Sequence, residues 1–130
     1  MKPNYELRCS ITANLEAIRG LVRRHARCGG LRGERLDDLV LAVNEAVTNV
    51  LDHAHGTGTV TLRSSGDGIA VDIEDHAGRL TSDHLAKAEI DPIGSHGYGL
   101  WVIQDLCDRV EVQQNEKGSR LRLHMSRYAA

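Results

Sequence analysis

Phenylalanine is absent from this chain, and one Trp and three Tyr make up its whole aromatic complement. Any core must therefore be built from Leu, Val, Ile and Ala. Cysteine is limited to Cys9, Cys28 and Cys107, an odd number with no metal-ligand or redox spacing. That excludes a disulfide framework and reads as free thiols in a reducing compartment. No apolar run approaches the ~20 residues of a membrane-spanning helix, and the opening MKPNYELR is too polar for an export signal. A cytoplasmic protein with no membrane partner is expected. Nor is one sign of charge in excess. The 16 basic residues face 18 acidic ones, and a formal net charge of −2 argues against direct binding of nucleic acid. Repeats, low-complexity tracts and long linkers are missing too.

What is present fits one globular domain over residues 1–130, with 41% hydrophobic and 26% charged residues. Tyr5, Leu7, Cys9 and Ile11 alternate with Glu6, Arg8 and Ser10, which predicts a half-buried strand. Residues 13–28 predict an amphipathic helix, with Leu15, Ile18, Leu21 and Val22 inward. Its arginines (Arg19, Arg23, Arg24 and Arg27) point outward to solvent, and Gly29-Gly30 ends it. A second helix runs from about 34 to 54. Strands follow at 58–64 and 69–75, joined as a hairpin by Ser65-Gly66-Asp67-Gly68. Residues 76–97 form a long irregular stretch with one helical turn near 82–88, a length typical of a functional lid or of disorder. A helix over 98–108 turns Leu100, Ile103, Leu106 and Cys107 inward. Strands at 109–114 and 119–125 close the chain around Asn115-Glu116-Lys117-Gly118. The order β-α-α-β-β-loop-α-β-β predicts an α+β fold, a two-layer α/β sandwich. Its five-stranded sheet would be mostly antiparallel, with helices on one face.

The second helix carries the most informative pattern. Leu36, Leu39, Val40, Val43, Val47 and Val50 form its apolar stripe. Glu45, Asn49 and His53 stack at i, i+4 and i+8 on a separate ridge. Burial does not require that ridge. A phosphate–magnesium site does: an amide or carboxylate oxygen to ligate a hard cation, and a carboxylate to take a proton. Three further pieces stand downstream. Asp75 ends an alternating strand, where it can accept a hydrogen bond from an amino group or cap a turn. Gly94-Ser95-His96-Gly97-Tyr98-Gly99-Leu100 opens a helix, whose N-terminus and glycine-exposed amides suit phosphate. Gly118-Ser119-Arg120 enters the last strand with a hydroxyl. His53 and His55 form an H-x-H at a helix end, with no third ligand to make a metal site. Tyr98 and Trp101 read as packing residues.

In order and spacing these pieces resemble the N box, G1 box, G2 box and last strand of the GHKL ATPase superfamily. The resemblance is greatest to its small stand-alone branch, the bacterial anti-sigma factor serine/threonine kinases. NEAVTN at 44–49 and GYGLWVI at 97–103 carry most of it, and it spans nearly the whole chain. The resemblance implies a Bergerat-type fold binding ATP and Mg2+. It places Glu45 as general base, Asn49 as Mg2+ ligand and Asp75 on the adenine amino group. Gly97 and Gly99 fall on the ATP phosphates, with Tyr98 and Leu100 in the same segment and Gly78 in the G1 turn. Ser119 falls near the adenine, and roughly 79–96 becomes a lid. It further implies a homodimer that sequesters a sigma factor and phosphorylates an anti-anti-sigma antagonist, a STAS-domain protein.

Two departures stand out. The usual D-x-G-x-G of the G1 box has Ala77 and Arg79 at its two glycine positions, with Gly78 between them, which predicts a reshaped turn and weaker adenine binding. Gly94-Ser95-His96 stands where relatives often carry an Arg for the γ-phosphate. Both leave open a binding module that works by partner sequestration alone. A switch kinase of a stress-signalling complex shares the same chemistry. The ATPase piece of a histidine kinase is disfavoured, because only one strand and one helix precede the N box.

Overall fold

The computed structural model describes residues 5–53, 57–76, 97–116 and 118–128. The expected lid, the helical turn near 82–88, Gly78 and His55 lie outside the described residues, as do the side chains of His53 and Tyr98.

The chain runs β1 (Tyr5–Ser10), α1 (Leu15–Cys28), α2 (Gly33–His53), β2 (Gly58–Ser65), β3 (Gly68–Asp75), α3 (Gly97–Leu106), β4 (Arg109–Asn115) and β5 (Gly118–Met125). The strands form one five-stranded sheet in the order β1-β2-β3-β5-β4. Every neighbouring pair is antiparallel. The two-layer α+β sandwich expected from the residue pattern is therefore present, with boundaries shifted by one or two residues.

The core is aliphatic, as the missing Phe requires. Leu36, Leu39, Val40, Val43, Val47 and Val50 of α2 are all buried against Val60, Leu62, Ile69, Val71, Ile73, Leu121 and Leu123 of the sheet. Alternation along each strand sends the other residues to the opposite face, which carries charge. There Asp72, 1% exposed, accepts from Arg63 Nη1 at 2.6 Å and from Arg122 Nε and Nη2 at 2.7 and 3.0 Å. Burial pushes the Asp72 carboxyl up, and hydrogen bonds from Arg122 and Arg63 override it, leaving the group below the usual carboxylate range.

Local chemistry sets the ends of α1. Asn14 caps it, accepting at Oδ1 from the Ala17 amide at 3.1 Å. At the other end Gly30 takes φ 103°, so that its N–H bonds the Arg27 carbonyl and Leu31 N–H bonds that of Ala26. This is a Schellman closure, with Leu31 buried against Ala26. The arginine face of α1 is at the surface as expected, and two of its arginines also reach α2. Arg19 Nη1 donates to Asn44 Oδ1 at 2.9 Å, and Arg23 pairs with Asp37 at 2.7 Å. These two surface pairs tie α1 to α2, and Arg19, Arg24 and Arg27 are exposed.

The ends of the helices are fixed by their connections. Arg35, in the first turn of α2, donates to the Ser126 carbonyl at 3.0 Å and pairs with Asp108. This pins the start of α2 where β5 finishes. Only residues 54–57 separate His53 from Gly58, the register partner of Asp75. The last turns of α2 therefore lie at the end of the sheet that holds Asp75 and Ser119. Helix α3 leads through two residues into β4 at the Arg109 end, so its N-terminus points back toward the Asp75 end.

Candidate functional site

Two groups of side chains meet at that end of the molecule. The first lies between α2 and α3. A Cβ built on Gly99 would sit 3.3 Å from both amide atoms of Asn49 and 3.4 Å from Glu45 Oε2. The glycine thus lets the start of α3 approach the carboxylate and the amide closely. Glu45 and Asn49 are half-buried, and Asn49 Nδ2 is fully enclosed with no hydrogen-bond partner among the described residues. Such an orphan donor costs about 1–3 kcal/mol. The first-turn amides of α3 have no intrahelical acceptor, and no acidic side chain occupies that turn. Partial positive charge at this N-terminus is left for an anion. Leu100 is fully buried in the core, so only its backbone N–H can face a ligand.

The second group is a row across the sheet. Gly58 pairs with Asp75, Asp75 with Ser119, and Ser119 with Gln114. Asp75 and Ser119 are 8% and 3% exposed, on the face that the helices cover. Ser119 Oγ is enclosed and has no hydrogen-bond partner among the described residues. The backbone is tight here. A Cβ on Gly118, whose φ is 130°, would fall 2.0 Å from the Asp75 carbonyl oxygen, and one on Gly58 would fall 2.1 Å from that of Glu74. The position beside Asp75 on β2 is filled by backbone and by the Ile11 side chain, whose Cδ1 would lie 3.0 Å from a Cβ on Gly58.

The structure therefore brings Glu45, Asn49 and Gly99 together, and Asp75 with Ser119, at one end of the sheet. The described residues contain no cluster of His, Cys, Asp and Glu able to hold a metal by themselves. A hard cation here would take one ligand from the protein and the rest from phosphate and water, and the Asn49 amide suits that. Gln114 was not legible as a site residue. The signal was present in parity with Val110 and Val112, which pack against the core and share its face of β4. Trp101 was expected in packing but is 40% exposed, because Leu100 and Ile103 take the buried side of α3.

The sequence profile of the histidine kinase-like ATPase domain family matches residues 10–125. The chain belongs to this family. Among curated relatives, serine-protein kinase RsbW of Bacillus pumilus (strain SAFR-032) is 31% identical over 99 residues, covering 63% of this chain and 60% of the relative. RsbW of Bacillus licheniformis is 29% identical over 99 residues, covering 65% and 61%. RsbW of Oceanobacillus iheyensis is 28% identical over 117 residues, covering 78% and 70%. The chain thus spans about three fifths of the length of the first two kinases. The solved RsbU and RsbW domains of Rv1364c from Mycobacterium tuberculosis superpose with a TM-score of 0.68 at 20% identity, covering 99% of this chain and 34% of that one. That likeness supports the ATPase-domain fold.

Proposed function

We propose that the chain is an ATP- and Mg2+-dependent serine/threonine protein kinase of the anti-sigma factor type. In this reading it binds a sigma factor and phosphorylates a Ser or Thr of an anti-anti-sigma antagonist with a STAS domain. It works as a cytoplasmic homodimer; no described helix is long and apolar enough to cross a membrane. The observation that carries the reading is a pair of orphaned polar atoms on the helix side of the sheet. Of four buried side-chain atoms without a partner among the described residues, Thr59 Oγ1 and Thr61 Oγ1 lie on the opposite face, and Asn49 Nδ2 and Ser119 Oγ lie where the proposed nucleotide would bind.

Bound ATP supplies the γ-phosphoryl group, and Mg2+ screens its charge. The residues divide the remaining work. Asp75 accepts from the adenine amino group, and Ser119 offers its hydroxyl beside it. Amides of Gly97, Tyr98, Gly99 and Leu100 hold phosphate oxygens at the start of α3. Asn49 gives its amide oxygen to the cation. Glu45 accepts the proton that the antagonist's hydroxyl loses as it attacks. Gly78 belongs to the adenine end of this set.

Incubation of the chain with γ-labelled ATP, Mg2+ and a STAS antagonist tests the proposal. Label should pass to the antagonist's Ser or Thr, and Glu45→Ala should abolish transfer while largely sparing nucleotide binding. Transfer undiminished in Glu45→Ala would remove Glu45 from the base role. A second reading, sequestration without catalysis, is favoured by Gly94-Ser95-His96 standing where an Arg would stabilise the transferring phosphate. It predicts nucleotide binding, or none, with no transfer by the parent chain.

A further inference from the structure

We infer that Gln114 is a specificity-determining residue that reads the C2 edge of the purine base. This inference rests on the proposed adenine site and extends it. The row Gly58–Asp75–Ser119–Gln114 crosses β2, β3, β5 and β4 in direct register. Partners in such a row point to the same face of the sheet. Asp75 and Ser119 lie on the helix-covered face, and Val110 and Val112 put Gln114 on that face by alternation. Unlike its row neighbours Gln114 is exposed, so it stands at the open end of the row.

The chemistry of the row follows the chemistry of the base. Along its edge adenine presents the 6-amino group, then N1, then C2. Asp75 is acceptor-only and takes the amino group. The orphaned Ser119 hydroxyl is next across the sheet, on a neighbouring strand, and meets N1 as donor. One strand further out is Gln114, about 4.8 Å beyond Ser119 at the backbone. Its side chain is the longest of the row, long enough to reach back toward C2. There its amide oxygen accepts from any amino group the base carries at that position. At the opposite end of the row Gly58 is closed by the Ile11 side chain, so the open side is that of Gln114.

The test uses Mg-ATP and the triphosphate of 2-aminoadenosine, titrated calorimetrically into the whole chain. One added hydrogen bond should let the wild-type chain bind the 2-amino nucleotide about fivefold more tightly than ATP. Gln114→Leu should bring that ratio to about one. Gln114→Glu keeps the acceptor and should retain the preference. A wild-type chain that binds ATP with no preference for the analogue overturns the inference, as does a ratio unchanged in Gln114→Leu. A wild-type chain that binds neither nucleotide overturns the adenine site itself and this inference with it.

Discussion

Asn49 keeps an amide nitrogen buried without a partner among the described residues. Natural sequences seldom carry that cost away from functional sites. Asn49→Leu, similar in volume and free of polar atoms, should therefore raise the unfolding free energy of the nucleotide-free chain by about 1 kcal/mol. The same variant should lose Mg2+-dependent nucleotide binding. Urea denaturation and a titration with Mg-ATP measure the two effects separately, and a destabilised variant would mean that the amide is structural. Asp72 is the opposite case, a buried carboxylate whose partners are in place. Its folded value lies below its unfolded one, through the hydrogen bonds from Arg122 and Arg63. Its contribution is therefore complete above the ordinary Asp value of about 3.9 and fades as pH falls through the folded value. Asp108, lowered by the Ser126 amide and hydroxyl and by Arg35 against its own desolvation, adds to the same acid limb. Asp72→Asn should cost about 2 kcal/mol near neutral pH and flatten the loss of stability toward acid. Chemical denaturation across that range follows it.

The helices and strands were legible from period and punctuation. In α2, apolar residues recur at helical spacing, and in α1 Gly29-Gly30 marks the end. Gly30 holds a left-handed conformation that costs any residue with a Cβ about 1–2 kcal/mol. Gly30→Ala should thus lower stability by about 1 kcal/mol and move the denaturation midpoint, while the slope with denaturant stays unchanged. What sequence could not supply was the direction of side chains that leave the apolar stripe. Arg19 and Arg23 read as solvated because helical spacing says which face they occupy but not that Asn44 and Asp37 of α2 stand opposite. Trp101 read as a packing residue and is 40% exposed. The wheel of α3 had already assigned its buried face to Leu100 and Ile103.

At the scale of the molecule, sequence delivered the sheet and its helical cover, and it named most of the residues of the candidate site. Glu45 and Asn49 could be paired because one helix carries both, and Gly99 because its segment opens another. The row Asp75–Ser119–Gln114 could not be read, because strand order β3-β5-β4 brings together residues distant in the chain. Register is set by the whole sheet. Arg35 and Asp108 act at the same scale. With Ser126 they pin the far ends of α2 and β5 together, so that the free end of α2 overhangs the row.

The central claim is a Mg2+-dependent adenine nucleotide site at that overhang. Thermal unfolding with Mg-ATP, with ATP plus a chelator and without nucleotide tests it most directly. At about 100 times its Kd a ligand that binds only the folded chain stabilises it by about 2.7 kcal/mol. That predicts a rise of several degrees in Tm for a domain of this size. The rise should shrink when Mg2+ is chelated and vanish in Asn49→Leu. An unchanged Tm in millimolar Mg-ATP would contradict the account, leaving a family fold whose nucleotide site has been lost.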